Sequence, residues 1–552
     1  MSPWCPPPGM NGNASLVRVS SRAARADERA CPASASAKAR PGVWPRGRAN
    51  TRRPTRPEFA LGPFMAALDL IEHRKVSPEA ALERASAEPG RLQAHPGLVE
   101  WTRDAVCRYL AAAPRMARIA DGAALEPTAH EWVYRWSGAV PGGEPAVYEI
   151  TAWGRRYRSP DGSIRELRLP RLSSAGTRER DPAEVAVAGY VAAFGVPAER
   201  PQRWSDPFRA RACSDRVARV RIVEYGCADG SLQVLFDGAP AEAEAAFRDL
   251  GSPRLREAVS GTAERPGEGC ANCKLIAPCR TLPRVPGLLG ILGAGQPLRT
   301  WSVTNGRDYA ICPAKDHLRR LHLPRTGEYD QAARRGKAVH ARIEELHRRH
   351  PPQPCTEHDL RADPDQWQDE WELDAEQARL GARQLAWHLP VCPLAPATLV
   401  GQVRPEPTLA VYDPLADVIV LAKPDLLYQD RGAWVWRETK TGGRTRVRDT
   451  DVLGKYPQAA LATVLLAAEV LGGERDGSRV ELEILRPDGP DIHLVDPRDP
   501  VAVGRAREVV RDLAEAWHGD LLLDPRPGPW CANCEVALWC TARLQANERS
   551  AA

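Results

Sequence analysis

Two extended runs meet at Gln429-Asp430-Arg431-Gly432, a turn signal between Leu426-Leu427-Tyr428 and Trp434-Val435-Trp436, and together they predict a β-hairpin. In an extended segment alternate side chains share a face, so Glu438 and Lys440 point one way and Thr439 the other. Upstream, apolar residues recur at helical spacing from about 63 to 125. Strand patterns follow at Trp132–Trp136, Val147–Trp153 and Ile164–Leu169, then a buried helix at Glu184–Phe194. Strands at Arg219–Tyr225 and Leu232–Phe236 flank a turn at Ala228-Asp229-Gly230 and lead into a helix at Ala241–Leu250. The second half repeats that order: helix Pro457–Val470, strand Arg479–Leu485, turn Pro487-Asp488-Gly489, strand Ile492–Val495 and helix Val501–Trp517.

Each half closes on the same cysteine pattern. Cys270-Ala-Asn-Cys273 with Cys279 matches Cys531-Ala-Asn-Cys534 with Cys540, spacing included. Repeated order and repeated spacing together predict two tandem copies of one α/β fold. Residues 63–281 form the first, 282–299 a Gly- and Pro-rich linker, and 300–552 the second. Residues 1–62, rich in Arg, Pro, Ala and Ser with little apolar periodicity, read as a disordered basic tail. Met65 would make a sensible beginning for the folded chain.

Composition changes this picture little. The chain has 552 residues, 43% hydrophobic and 27% charged, as expected of folded globular domains. No apolar run approaches the ~20 residues that cross a bilayer, and no secretory apolar core opens the chain, which places it in the cytoplasm. A net charge of +5 does not by itself indicate nucleic acid. Fourteen cysteines in such a chain read as metal ligands and buried thiols rather than disulfides.

The hairpin carries the candidate chemistry. Asp425 would face Glu438 across the strand pairing at roughly 5 Å. Two carboxylates that close repel each other unless a cation lies between them, and oxygen donors suit Mg²⁺ or Mn²⁺. Lys440 beside that cation is placed to orient an attacking water or to stabilise charge on a phosphoryl oxygen. In the first copy Glu166-Leu167-Arg168 stands at the place of Glu438-Thr439-Lys440, with no Pro-Asp at the matching distance, and predicts a degenerate copy. Arg444, Arg446 and Arg448 follow Lys440 directly and offer phosphate contacts. No arginine or asparagine pattern for base edges is readable, so little sequence specificity is expected.

Pro424-Asp425 followed by Glu438-x-Lys440 resembles the signature of the PD-(D/E)XK nuclease superfamily. Cys312-Pro313, the Gly336-x-x-x-His340 helix and Tyr456-Pro-Gln458 resemble motifs of its RecB branch, over roughly residues 300 to 545. The resemblance implies a restriction-endonuclease-like mixed sheet flanked by helices and a metal-dependent deoxyribonuclease. Asp425, Glu438 and the Thr439 carbonyl would hold Mg²⁺ or Mn²⁺ with help from His340. Tyr456 and Gln458 would meet substrate, although the family's Tyr four residues after that Gln is Ala462 here.

Cys531, Cys534 and Cys540 with the remote Cys312 resemble the iron-sulfur staple of AddB-type and CRISPR-adaptation nucleases, where four thiolates hold a 4Fe-4S cluster. Zinc is the alternative. In the first copy Cys270, Cys273 and Cys279 need a fourth ligand, for which Cys107, Cys213 and Cys227 are candidates and Cys107 is favoured by its place before the sheet. Cys5, Cys31, Cys355 and Cys392 read as incidental. The family implies DNA repair, recombination or defence, with a helicase or another repair or defence protein as partner; no Gly-x-x-x-x-Gly-Lys-Ser/Thr loop occurs in the chain, so any unwinding must come from a partner. A non-catalytic DNA-binding scaffold and a zinc-stapled RNA-acting protein are the rival readings.

Overall fold

The computed structural model describes residues 4–46, 56–87, 93–117, 122–138, 146–293, 296–325, 330–360, 364–394, 399–443 and 451–543. They divide into two compact units. One comprises residues 1–281, 312–326 and 521–552, and the other 282–311 and 327–520. The Cys312 segment and the carboxyl-terminal cysteines therefore group with the first unit, across the boundaries read from the sequence. The reason is apolar packing: Leu318, Leu321, Leu323, Val536 and Trp539 share one buried cluster with Phe64, Leu98, Trp101 and Tyr109.

In the second unit a five-stranded mixed sheet runs Leu399–Pro405, Leu426–Asp430, Ala433–Thr441, Glu474–Arg486, Gly489–Val495. All neighbours are antiparallel except the parallel pair of Ala433–Thr441 with Glu474–Arg486. A parallel pair needs a crossover. Helix Pro457–Ala467 supplies it, and its unbroken buried stretch from Ala459 to Leu466 shows why it is apolar on all sides. Helices Gln331–His347 and Ala375–His388 cover the opposite face, where Val339, Ile343 and Leu385 pack with Val435 and Leu485. A three-stranded sheet of Arg299–Trp301, Val418–Ala422 and Leu409–Asp413 completes the fold.

The first unit repeats this construction. Its sheet runs Glu126–Pro127, Arg155–Arg158, Ile164–Arg171, Arg219–Gly226, Leu232–Gly238, again with one parallel pair between the third and fourth strands. Pro182–Phe194 is the buried crossover helix. The companion sheet matches too: Leu16–Ser20 lies parallel to Ala146–Thr151, which pairs antiparallel with Glu131–Gly138, as Arg299–Trp301 does with its neighbours.

That match overturns the disordered tail. Residues from Leu16 onward begin the first copy. Arg18 is 5% exposed and Glu149 wholly buried, with Arg18 Nε donating to Glu149 Oε2 at 2.8 Å. The remaining guanidinium nitrogens donate to the carbonyls of Trp204 and Asp206. An arginine-rich stretch reads as solvated when the acid that buries one of its members lies far along the chain. Glu149→Ala strands that guanidinium, and is expected to destabilise the first unit by about 3–5 kcal/mol, read as a lowered urea midpoint.

Candidate active site

Strand pairing sets the site. Leu426 lies opposite Arg437, so Asp425, one residue earlier, comes level with Glu438. Asp425 Oδ2 accepts hydrogen bonds from the Thr439 amide at 2.7 Å and from Lys440 Nζ at 3.3 Å. Lys440 Nζ also donates to Glu438 Oε2 at 2.9 Å and to the Thr439 carbonyl at 3.0 Å. Three oxygens, from two acids and one carbonyl, thus converge on one cationic centre. His340, on helix Gln331–His347, places Nδ1 3.5 Å from Asp425 Oδ1. The Trp436 indole donates to Glu438 Oε1 at 2.9 Å and fixes that carboxylate.

Electrostatics separates the two acids. Burial works to raise Asp425, but Lys440 and His340 outweigh it and hold the carboxyl well below its usual range. Glu438 is pushed up, by burial first and then by the Asp425 charge, against the pull of Lys440. Burial works against the Lys440 ammonium, yet Glu438 and Asp425 raise it overall. A second positive charge brought here would meet two acids and a carbonyl already converged on one point. Hard oxygen donors with one imidazole fit Mg²⁺ or Mn²⁺, with Asp425, Glu438, the Thr439 carbonyl and His340 as the residues that would hold it.

Two acids and a lysine on adjoining strands of a helix-flanked mixed sheet make a site whose oxygen donors suit a divalent cation. Residues 300–541 match the family model of the PD-(D/E)XK nuclease superfamily. Among solved structures, the chain is similar to one described as a putative exonuclease from Eubacterium rectale, at 14% identity and a TM-score of 0.26 over 40% of this chain and 79% of that one. It is also similar to SSO0001, at 14% identity and a TM-score of 0.20 over 38% of this chain and 96% of that one. No curated protein matches.

Other expected residues fall in different places. Tyr456 and Gln458 are half-buried at the start of the crossover helix. Because that helix leaves the end of the strand carrying Glu438 and Lys440, topology puts both at the catalytic end of the sheet. Arg444 and Arg446 lie outside the described residues.

The first copy differs from its sequence reading by one residue. Glu438 pairs with Leu482 and Leu167 with Ile222, each three residues after the matching Arg of its partner strand, Arg479 and Arg219. Leu167 and Leu169, not Glu166 and Arg168, therefore stand where Glu438 and Lys440 stand. Both leucines are buried against Val187 and Val191 of the crossover helix. Glu166 and Arg168 point to the other face, where they pair with each other at 2.6 Å and Arg168 donates to the Met116 carbonyl. Shifting a strand by one position exchanges its faces, and sequence spacing alone did not fix that position.

The thiols gather in two groups within the first unit. Cys312, Cys531, Cys534 and Cys540 line one cavity of ≈ 170 Å³. The amides of Arg526 and Gly528 donate to Cys312 Sγ at 3.3 Å and Cys531 Sγ at 3.4 Å. In the other group the amides of Arg265 and Gly267 donate to Cys31 Sγ and Cys270 Sγ, each at 3.3 Å. Burial first, and then the neighbouring thiols Cys273, Cys279 and Cys31, push the Cys270 thiol up to about 11. Cys31, not Cys107, is therefore the fourth thiol; Cys107 is exposed on helix Pro96–Met116. Two sequence signals could have found it: Cys31-Pro32-Ala33 repeats Cys312-Pro313-Ala314, and Arg265-Pro266-Gly267 repeats Arg526-Pro527-Gly528. The disordered reading of the tail hid the first of them.

Proposed function

We propose that the chain is a Mg²⁺- or Mn²⁺-dependent deoxyribonuclease. Its catalytic residues are Asp425, Glu438 and Lys440, and two four-thiolate sites each hold a 4Fe-4S cluster. The convergence of Asp425 Oδ2, Glu438 Oε2 and the Thr439 carbonyl on Lys440 Nζ carries the reading. When bound, the metal would supply Lewis-acid stabilisation of charge on the scissile phosphate.

The chain's own residues do the rest. The Thr439 amide holds Asp425 in place, and the Trp436 indole does the same for Glu438. Lys440 Nζ presents donors at the mouth of the site, where they orient the attacking water and meet a developing negative charge. Tyr456 and Gln458, at the same end of the sheet, flank the path of the strand being cut. The cysteine sites have a structural role: each ties a residue early in its copy to a triplet at that copy's end, which restricts the unfolded chain. Main-chain amides aimed at the sulfurs support thiolate clusters.

The first copy, with leucines at both positions, serves structure or DNA binding. No helix among the described residues is long and apolar enough to cross a membrane. The resemblance to RecB-type nucleases supports a role in DNA repair, recombination or defence, with unwinding left to a helicase partner.

Anaerobically purified protein, analysed for iron and acid-labile sulfide, should digest end-labelled DNA with Mn²⁺ or Mg²⁺ and stop on chelation. Binding without cleavage would establish the scaffold instead, and exclusive cleavage of RNA, with zinc in place of iron, the other rival.

A further inference from the structure

The observation lies on the face of the second sheet opposite the catalytic residues. Helix Gln331–His347 and helix Ala375–His388 each end on a histidine, and each histidine is followed by a cysteine, Cys355 and Cys392. All four side chains are buried, His388 completely. One ligand atom from each lies within 4.8 Å of all the others. His347 Nε2 and His388 Nε2 are 3.3 Å apart, and Cys392 Sγ is 3.7 Å from His347 Nε2.

We propose that His347, Cys355, His388 and Cys392 form a structural zinc site. Tetrahedral zinc with nitrogen at about 2.0 Å and sulfur at about 2.3 Å requires N···N and N···S separations of about 3.3 and 3.5 Å. Both observed separations agree. Two thiolates neutralise the ion, so a closed His₂Cys₂ site is uncharged and suits burial. The surroundings are those of a ligand set. His388 Nδ1 bonds Glu483 Oε1 at 2.7 Å, which leaves Nε2 to face the centre and supplies the carboxylate that metal-bound histidines characteristically carry. The Cys355 amide donates to Cys392 Sγ at 3.5 Å.

The site also accounts for a connection to the catalytic strand. The other oxygen of Glu483 accepts from Thr439 Oγ1 at 2.9 Å and from Arg437 Nε at 3.2 Å. Thr439 lies between Glu438 and Lys440, and His347 ends the helix that carries His340. A bound ion therefore pins the ends of both covering helices and, through Glu483, the back of the strand whose front carries the catalysis. Glu483 is a positioning residue in this scheme. The site stands whether or not the substrate is DNA.

The test is metal content of the full-length protein purified without added zinc. One zinc per chain is expected, with X-ray absorption giving two nitrogen and two sulfur neighbours, and Cys531→Ser should leave that zinc in place. Cys392→Ser or His388→Ala should lose it; Cys392→His, which retains a ligand, should keep it if the serine variant fails to fold. Absence of zinc from the wild type, or a sulfur-only zinc environment that disappears in Cys531→Ser, overturns the proposal.

Discussion

Glu438→Gln is expected to lower cleavage at least 10²–10³-fold, the scale on which a single charge-stabilising group acts in a closed site. The side chain is 4% exposed and its carboxylate is one of the two acids on Lys440. Removing its charge leaves Asp425 alone to balance the ammonium and any incoming cation. The fold should survive, because an amide oxygen still accepts from the Trp436 indole. Mn²⁺ titration followed by calorimetry should therefore show weakened binding with an unchanged circular dichroism spectrum.

Cys31→Ser is expected to remove one cluster, while Cys107→Ser leaves both. Two cubane clusters give about eight irons per chain, falling to about four in Cys31→Ser. The thermal transition of the first unit should fall with the iron, since the site closes Cys31, near the start of the copy, onto Cys270, Cys273 and Cys279. Metal binding that exists only in the folded state is folding free energy. Equal iron content in the two variants would return Cys31 to the status of an incidental thiol.

These residues also mark what the sequence made legible. Asp425, Glu438 and Lys440 could be read because strand alternation fixes which neighbours share a face and a hairpin fixes what lies opposite. The duplication could be read because elements and cysteines recur in the same order. Three things could not. Arg18 looked solvated because its partner, Glu149, is remote in the chain. The correspondence of the copies slipped by one residue because a short motif with a Glu outweighed the apolar face that Leu167 and Leu169 share with the crossover helix. Cys355 and Cys392 looked incidental because their histidines close a site only when two helices end side by side.

The ammonium of Lys440 lies among the oxygens of Asp425, Glu438 and Thr439, and the proposed cleavage depends on it. The most direct measurement is Mn²⁺-dependent degradation of end-labelled DNA by the wild type and Lys440→Ala, purified side by side with equal iron content and equal thermal transitions. The predicted result is degradation by the wild type and a loss of about 10²–10³-fold in the variant. Equal rates from the two proteins would contradict it.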